Sequence, residues 1–324
     1  MIRIGTDPDL IHAGSFILTW HGLFTFVAVA LAVYLVARWA RRDADFVAEC
    51  EQKRWNVVDV VYSTAVWAII GGIVGARLFH VVDRWDFYGQ NLSQIIAIWN
   101  GGIAIYGAIL GGFAGAAAYM AWKKYPIGKV ADITTPALII GMAVGRIGDI
   151  INGEHVSSST TMPWGFIYSN PKSPTNQAYG LVPTHPAVVY EMLWDFVVLA
   201  LIWRLARRLR PDGMLFLSYL SLYSVGRFFI SFLRQDKIWV AGLREAQVIA
   251  IIILLIAVPW LAYKAQFVKG APPPRKVARE AKFADTIKGP VEFLPFLLLW
   301  GYIAYAMAKT RNRNHWAWGV LGLA

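Results

Sequence analysis

The chain has 324 residues, of which 57% are hydrophobic and only 16% are charged. Soluble domains carry about a quarter charged residues, so this composition excludes an ordinary soluble protein and indicates a polytopic α-helical membrane protein. The net charge of +11 would suit a nucleic-acid-binding protein. However, the Lys and Arg residues lie at the ends of apolar segments, which predicts contact with anionic membrane lipids and no nucleic-acid partner.

Apolar segments of about membrane length predict seven transmembrane helices within a membrane domain at residues 1–263. The predicted spans are 16–36, 57–79, 101–122, 133–151, 186–204, 214–233 and 247–263. Basic residues cluster at 38–56, 123–129, 204–211 and 264–290. The positive-inside rule therefore places these four segments in the cytoplasm and the N-terminus outside.

Three segments lie outside the predicted spans. Residues 81–100 contain Trp85, Phe87, Tyr88 and Trp99, as expected of an outer interfacial segment. Residues 152–184 are polar and rich in proline, which predicts a small extracytoplasmic cap. Residues 264–324 form a basic linker and a hydrophobic extension whose block at 293–307 is either an eighth span or an interfacial hairpin.

The segment at 145–154, GRIGDIINGE, closes the fourth span with an unusual density of polar residues. At 100° per residue, Arg146, Asp149 and Asn152 fall on one face of a helix. Gly148 and Gly153 allow another helix or a ligand to approach the backbone closely. Ionisable groups inside a membrane span are costly and usually functional, although a structural Arg146–Asp149 pair that locks two helices is the alternative.

Other polar residues lie near the predicted outer ends of the spans. They are His21 in TWHG, Tyr106 in GGIAIYGAILGG, His185 and Glu191 in THPAVVYE, and Tyr223 and Arg227 in YSVGRFF. Arg234, at the end of the sixth span, is expected at the outer rim. Gly107, Gly111 and Gly115 form a stripe of small residues that predicts close helix packing. Singly, each histidine is also compatible with a structural role.

Arg146 and Arg227 are each within about two turns of an outer helix end. Both can therefore face one cavity at similar depth. A guanidinium binds phosphate through two parallel hydrogen bonds, so two arginines around one anion suit a lipid phosphodiester. The alternatives are that each arginine extends to the membrane interface or pairs with Asp149 or Glu191.

These motifs, in this order, resemble those of the bacterial prolipoprotein diacylglyceryl transferases over about residues 15–263. The resemblance implies seven spans in the bacterial inner membrane and an extracytoplasmic active site. It implies transfer of diacylglyceryl from phosphatidylglycerol to the lipobox cysteine that follows a prolipoprotein signal peptide. Neither a cofactor nor a metal is implied, and no ligands appear at metal spacing.

Position by position, Arg146 and Arg227 match the essential arginines of that family. Asn152, Gly153, Glu154, His185, Glu191 and Tyr223 match further motif positions. Three positions depart from the family pattern. Asp149 stands where Asn is usual, His21 where Tyr is common, and Ser231 where an acid is expected.

The resulting hypothesis is a transferase that forms a thioether. Arg146 and Arg227 bind the lipid phosphate, and a base takes the proton of the substrate thiol. His21 is the leading base because an imidazole titrates near neutral pH, with Tyr106 and Glu154 as alternatives. A transporter with an anion site and a lipid-binding scaffold are the other hypotheses.

Overall fold

The computed structural model describes residues 1–268, apart from residues 14, 15, 99, 100, 103 and 207. The predicted hydrophobic block at 293–307 and nearly all of the basic linker before it lie outside the described residues, as do Trp99 and Arg207.

Ten α-helices make up most of the described chain. They are α1 (Trp20–Ala40), α2 (Ala44–Lys53), α3 (Val57–Asp83), α4 (Trp85–Tyr88), α5 (Ile105–Lys123), α6 (Ile127–Asn152), α7 (Pro174–Tyr179), α8 (Ala187–Leu205), α9 (Met214–Ile230) and α10 (Glu245–Lys264). Six of them are long and apolar enough to cross a membrane: α1, α3, α5, α6, α10, and α9 together with the 3₁₀ turn that follows it. The predicted all-α polytopic architecture is confirmed.

The fifth predicted span corresponds to α8, which is not among those six helices. Its 19 residues are long enough to cross about 30 Å of hydrocarbon. However, it carries Glu191, Asp195 and Arg204, and charged residues are costly in a bilayer. The helix packs against α6 and α9 within the bundle. The count of seven spans therefore stays a prediction.

The first predicted span starts at residue 16, whereas the helix itself starts at Trp20. Phe16–Thr19 form the strand β3, which pairs with β2 (Asp9–Ala13) in an antiparallel hairpin. The helix α1 starts only at Trp20, because the Thr19 side chain accepts a hydrogen bond from the Gly22 amide at 3.0 Å and so caps the helix. The strand is as apolar as the helix, so hydropathy did not separate them.

The described residues include eight short strands, which pair into four two-stranded sheets. Besides β2 and β3 they are β1 (Ile2–Ile4), β4 (Phe166–Tyr168), β5 (Leu209–Arg210), β6 (Ile238–Val240), β7 (Leu243–Arg244) and β8 (Gln266–Phe267). β1 runs parallel to β4 with Ile2 opposite Phe166. This pairing attaches the N-terminus to the cap at 152–184.

The predicted glycine stripe on α5 packs against α3. A Cβ atom on Gly111 would contact the Gly71 carbonyl oxygen and lie 2.8 Å from the Gly75 Cα. One on Gly115 would lie 3.0 Å from the Gly71 Cα. The two backbones therefore approach more closely than any larger residue would permit.

Arg77 of α3 fixes the loop that leads into α5. Its buried guanidinium donates hydrogen bonds of 2.5–3.3 Å to the backbone carbonyls of Gln94, Ile95, Ala97, Gly101 and Gly102. Gly101 and Gly102 have φ angles of 79° and 82°, which glycine adopts readily. The loop is thus held in place just before Tyr106.

The amphipathic helix α2 was not predicted. Its Phe46 and Cys50 are almost fully buried and pack in one core cluster with Ala40 and Val60. The helix therefore covers the ends of α1 and α3 in the predicted cytoplasmic segment at 38–56.

Candidate active site

Glu191 of α8 lies at the centre of three arginines and is buried. Its Oε2 accepts a hydrogen bond from Nε of Arg146 at 3.3 Å. Its Oε1 accepts hydrogen bonds from Arg227 and, at 3.3 Å, from Nη1 of Arg234. Three guanidinium groups therefore surround one buried carboxylate, and Asp195 and Asp236 are their other anionic partners.

Asp195 completes the ion pairing of Arg146. It follows Glu191 by one turn of α8, and its Oδ2 accepts a hydrogen bond from Nη1 of Arg146 at 2.7 Å. Both side chains are nearly inaccessible to solvent. Nη2 of Arg146 has no hydrogen-bond partner among the described residues, although it lies 3.2 Å from Oε2 of Glu191. Arg146 therefore keeps a donor that a ligand could use.

A close contact between α8 and α9 brings Glu191 to Arg227. Gly226 lies directly against the Trp194 ring, where a Cβ atom would be 2.6 Å from Cε2. The Trp194 indole donates to the Leu222 carbonyl at 2.9 Å. The side chain of Arg227 is 18% exposed, against 3% for Arg146. Arg227 is therefore the more accessible of the two predicted phosphate ligands.

The sequence suggested that Arg234 lies at the outer rim, and this is wrong. It is only 3% exposed, because Asp236 accepts from its Nε at 2.7 Å and from its Nη2 at 3.0 Å. Burial alone would raise the pKa of Asp236, but the Arg234 and Arg227 guanidinium groups hold it below its ordinary value. Asp236 therefore stays ionised and positions Arg234.

Asp149 contacts two histidines instead of forming the Arg146–Asp149 pair considered from the sequence. Its Oδ1 is hydrogen-bonded to Nδ1 of His21, and its Oδ2 lies 3.6 Å from Nε2 of His155. Gly148 allows this, since a Cβ atom there would lie 2.7 Å from the His21 Cα. The sequence predicted that another helix or a ligand approaches Gly148 closely. This is confirmed, and the helix is α1.

Asn152 and Gly153 link the end of α6 to the cap. Gly153 has a φ of 70° and ends the helix, and a Cβ atom on it would lie 2.7 Å from the Tyr168 ring. Asn152 is 2% exposed, and its Oδ1 has no hydrogen-bond partner among the described residues. Glu154 lies near enough to His21 to interact with it electrostatically.

Tyr106 and Tyr223 lie beside the arginine cluster. Tyr106, in the first turn of α5, interacts electrostatically with Arg227 and Tyr223. Tyr223 precedes Arg227 by one turn of α9 and also acts on Arg146. Both phenol groups are therefore close enough to the arginine cluster to interact with it electrostatically.

His185 lies apart from this cluster. Its Nδ1 is 3.4 Å from the Tyr190 hydroxyl, which also accepts a hydrogen bond from the Trp164 indole at 2.7 Å. Its backbone amide donates to the Ser158 carbonyl at 2.9 Å. These contacts attach the start of α8 to the cap, and a role for His185 in substrate binding stays a prediction.

Ser231 replaces the acid expected near Arg227. It is fully buried, and its hydroxyl donates to the Arg227 carbonyl at 2.6 Å. The nearest acids to Arg227 are instead Glu191 and Asp236, the latter at 3.9 Å.

Sequence reasoning missed Asp195, His155 and Asp236 as members of the cluster. An acid one turn after Glu191 in an apolar helix was the available signal for Asp195. Nothing local marked His155, whose partners are 6 and 79 positions away in sequence. Within the described residues, no group of three or more His, Cys, Asp and Glu side chains is arranged to hold a metal ion.

A family model described as prolipoprotein diacylglyceryl transferase matches residues 8–263. A phosphatidylglycerol–prolipoprotein diacylglyceryl transferase of Acaryochloris marina is 35% identical over 262 residues, covering 78% of this chain and 90% of the relative. Proteins of the same name from Listeria innocua and Dehalococcoides mccartyi are 35% and 32% identical over 271 residues. They cover 82% and 84% of this chain, and 92% and 98% of the relatives.

These matches run through all the motifs on which the resemblance rested, and they favour a transferase over a transporter or a lipid-binding scaffold. The chain therefore belongs to the prolipoprotein diacylglyceryl transferase family, and it is a multi-pass membrane transferase.

Proposed function

We propose that this transferase moves the diacylglyceryl group of phosphatidylglycerol onto the lipobox cysteine thiol of a prolipoprotein. The product is a thioether, and glycerol-1-phosphate is released. The observation that carries the proposal is the buried cluster of Arg146, Arg227 and Arg234 around Glu191.

The arginines suit the phosphodiester of the donor lipid. Glu191 and Asp195 hold the guanidinium groups of Arg146 and Arg227 in place before substrate arrives, so little ordering remains to be done on binding. Within the described part of the chain Nη2 of Arg146 lacks a hydrogen-bond partner, and Arg227 is partly exposed. Both arginines therefore have donor capacity left for phosphate oxygens.

The same donors stabilise the leaving group. As the thiolate attacks the glyceryl C3 carbon, the bond between that carbon and the phosphate oxygen breaks, and negative charge grows on the phosphate. Fixed cations in a site of low dielectric constant lower the energy of that transition state. Tyr223 and Tyr106 lie beside the arginines and contribute hydroxyl groups near the phosphate.

His21 is the base that takes the thiol proton. Asp149 supplies the carboxylate partner that stabilises an imidazolium. The alternatives fit less well: Tyr106 has no carboxylate hydrogen-bonded to its hydroxyl among the described contacts, and Glu154 makes no described side-chain hydrogen bond. This base is connected to the cap at 152–184 through Asn152, Gly153 and Glu154. The cap admits the signal peptide of the precursor.

The site lies on the extracytoplasmic side of the bacterial inner membrane. The clusters of Lys and Arg at 38–56, 123–129 and 204–211 support this orientation, since the site residues lie at the opposite helix ends. Phosphatidylglycerol enters laterally from the outer leaflet.

The test is a reaction of the purified protein in vesicles of phosphatidylglycerol with a synthetic lipobox peptide. We expect mass spectrometry to find the peptide heavier by one diacylglyceryl group, together with stoichiometric glycerol phosphate. A peptide with serine in place of the cysteine and vesicles of phosphatidylethanolamine alone are the controls. Absence of the thioether from the complete reaction would rule out the proposed function.

A further inference from the structure

His21, Asp149 and His155 form one connected unit from three parts of the chain. His21 is in the first turn of α1, Asp149 is in the last two turns of α6, and His155 follows that helix. Asp149 is 5% exposed and His21 is 7% exposed. Each oxygen of the Asp149 carboxylate faces a different imidazole. The two rings are therefore linked through a single buried anion.

Arg234 fixes the tautomer of His155. Nη2 of Arg234 lies 2.9 Å from Nδ1 of His155. A guanidinium only donates hydrogen bonds, so Nδ1 must accept, and the ring hydrogen of a neutral His155 is on Nε2. That nitrogen lies 3.6 Å from Oδ2 of Asp149, within ion-pair distance. His155 also has a φ of 60°, a strained conformation that its contacts with Arg234 and Asp149 offset.

Asp149 fixes the tautomer of His21 by the same reasoning. An ionised carboxylate only accepts, so Nδ1 of His21 carries the hydrogen and Nε2 carries the lone pair. Nε2 is buried and has no hydrogen-bond partner among the described residues. A buried acceptor without a donor is unfavourable, and a thiol from the substrate would supply one.

We infer that Asp149 is a positioning residue that holds His21 with Nε2 free to accept the proton of the substrate thiol, and that His155 fastens Asp149 to the arginine cluster through Arg234. This inference rests on the proposed function. The S–H proton moves to Nε2, the sulfur–carbon bond forms, and the carbon–oxygen bond to phosphate breaks. The proton then leaves His21 for the released phosphate monoester, so charge and atoms balance.

The unit also explains two departures from the family pattern. His21 and Asp149 stand at positions where the family commonly has Tyr and Asn, and the structure places them in contact. Tyr and Asn would form a neutral pair at these two positions, whereas His21 and Asp149 form an ionisable pair. Either single reversion leaves a mismatched partner in a buried site, whereas the double reversion His21→Tyr with Asp149→Asn restores a neutral pair.

The test compares four proteins in the vesicle assay: wild type, Asp149→Asn, His21→Tyr and the double variant. An amide does not enforce the His21 tautomer, so we expect Asp149→Asn to lower kcat by about 100-fold or more, with a smaller change in KM for phosphatidylglycerol. The double variant should be more active than the product of the two single effects predicts.

The pH profile of kcat separates a proton-transfer role from packing. Asp149 and Glu154 are the charged groups that act on His21, and Tyr168 and Arg146 lie near that pair. Wild-type activity should fall at acid pH as His21 becomes protonated. This acid limb should be lost in His21→Tyr and in the double variant, because both lack the imidazole. An acid limb unchanged in those two variants would overturn the inference.

Two further outcomes bear on the proposal. Activity of Asp149→Asn within about twofold of wild type, or strictly additive effects in the double variant, would refute the coupling. If Asp149→Asn alone fails to fold, the pH profile of His21→Tyr still tests the inference, because loss of its acid limb is expected and an unchanged acid limb overturns it. A wild-type protein that makes no thioether would refute the proposed function instead, so the two failures are distinguishable.

Discussion

Arg227 is the most exposed of the three arginines around Glu191, and we propose that it is the first of them to contact a lipid phosphate. Arg227→Lys keeps the charge but loses the planar arrangement of donors. We expect a loss of about 2–4 kcal/mol of transition-state stabilisation, which lowers kcat/KM. The thermal unfolding temperature should change little. Arg84→Lys, at an exposed arginine outside the cluster, is the control and should keep full activity. An Arg227→Lys enzyme as fast as wild type would show that Arg227 does not bind the phosphate.

Arg234 is buried by its contacts with Glu191, Asp236 and His155. A lysine reaches only some of these partners, so Arg234→Lys should lower the free energy of unfolding by about 1–3 kcal/mol. It should also reduce activity. Substitution of an exposed residue at the rim would have neither effect. Lys237→Met, at an exposed residue of the same loop, is the matched control. Thermal unfolding and the vesicle assay measure the two effects. Wild-type stability and wild-type activity of Arg234→Lys would show that Arg234 is an exposed residue at the rim.

The residues that the sequence predicted well are those inside dense motifs, such as Arg146 and Asp149. Their helical spacing alone placed them on one buried face. Their partners could not be predicted, because hydrogen bonds such as His21–Asp149 join residues 128 positions apart. Pairing across such distances depends on how α1 and α6 dock, and no local pattern encodes it.

Among the helices, α3 and α5 depend most directly on residue size. Gly111→Ala places a Cβ atom against Gly71 and 2.8 Å from the Gly75 Cα, so the helices must separate. We expect a loss of about 1–3 kcal/mol in stability, measured by thermal unfolding in detergent. Gly145→Ala is the control, because its Cβ atom would lie 3.9 Å from Ala28, an ordinary contact. Equal stability of the two variants would contradict the close packing.

Helix existence was predictable from hydropathy, whereas helix ends were not. The fourth predicted span starts at 133, but α6 starts at Ile127, directly after Pro126. The third starts at 101, but α5 starts at Ile105, because Gly101 and Gly102 hold the loop bound to Arg77. Capping and loop contacts set these ends, and average hydropathy does not report them.

At the scale of the whole molecule, the cap and the spans share the site. β1 and β4 attach the N-terminus to the cap, and Lys172 forms ion pairs with Asp7 at 2.9 Å and Asp9 at 2.8 Å. A hydrogen bond from the Asp9 backbone amide, followed by the one from Lys172, holds the pKa of Asp7 below its ordinary value. The hydrogen bonds to Asp9 and Asp7 hold the pKa of Lys172 above its ordinary value. The side chains of Lys172 and Asp7 are about half exposed and that of Asp9 is 18% exposed, so these pairs contribute little stability. Their role is to position the cap over the end of α6.

The orientation of the chain decides whether this site can meet an exported substrate. Cys50, the only cysteine, is a poor probe of it, because the thiol is 1% exposed. Burial, with the nearby Glu49, raises its pKa to about 11, and the thiolate is the form that reacts. We therefore expect a membrane-impermeant maleimide to leave Cys50 unlabelled from either side of the membrane until the protein is denatured.

Exposed positions give a sharper topology test on a Cys50→Ala background. Thr161→Cys lies in the cap and Gln52→Cys lies on α2, and both residues are exposed. In intact cells the cysteine at 161 should react with the impermeant maleimide, whereas the one at 52 should react only after the membrane is permeabilised. The basic residues around α2 predict this difference, since short basic loops stay in the cytoplasm. The reverse pattern would place the arginine cluster on the cytoplasmic side, where a cysteine exported with its signal peptide could not reach it.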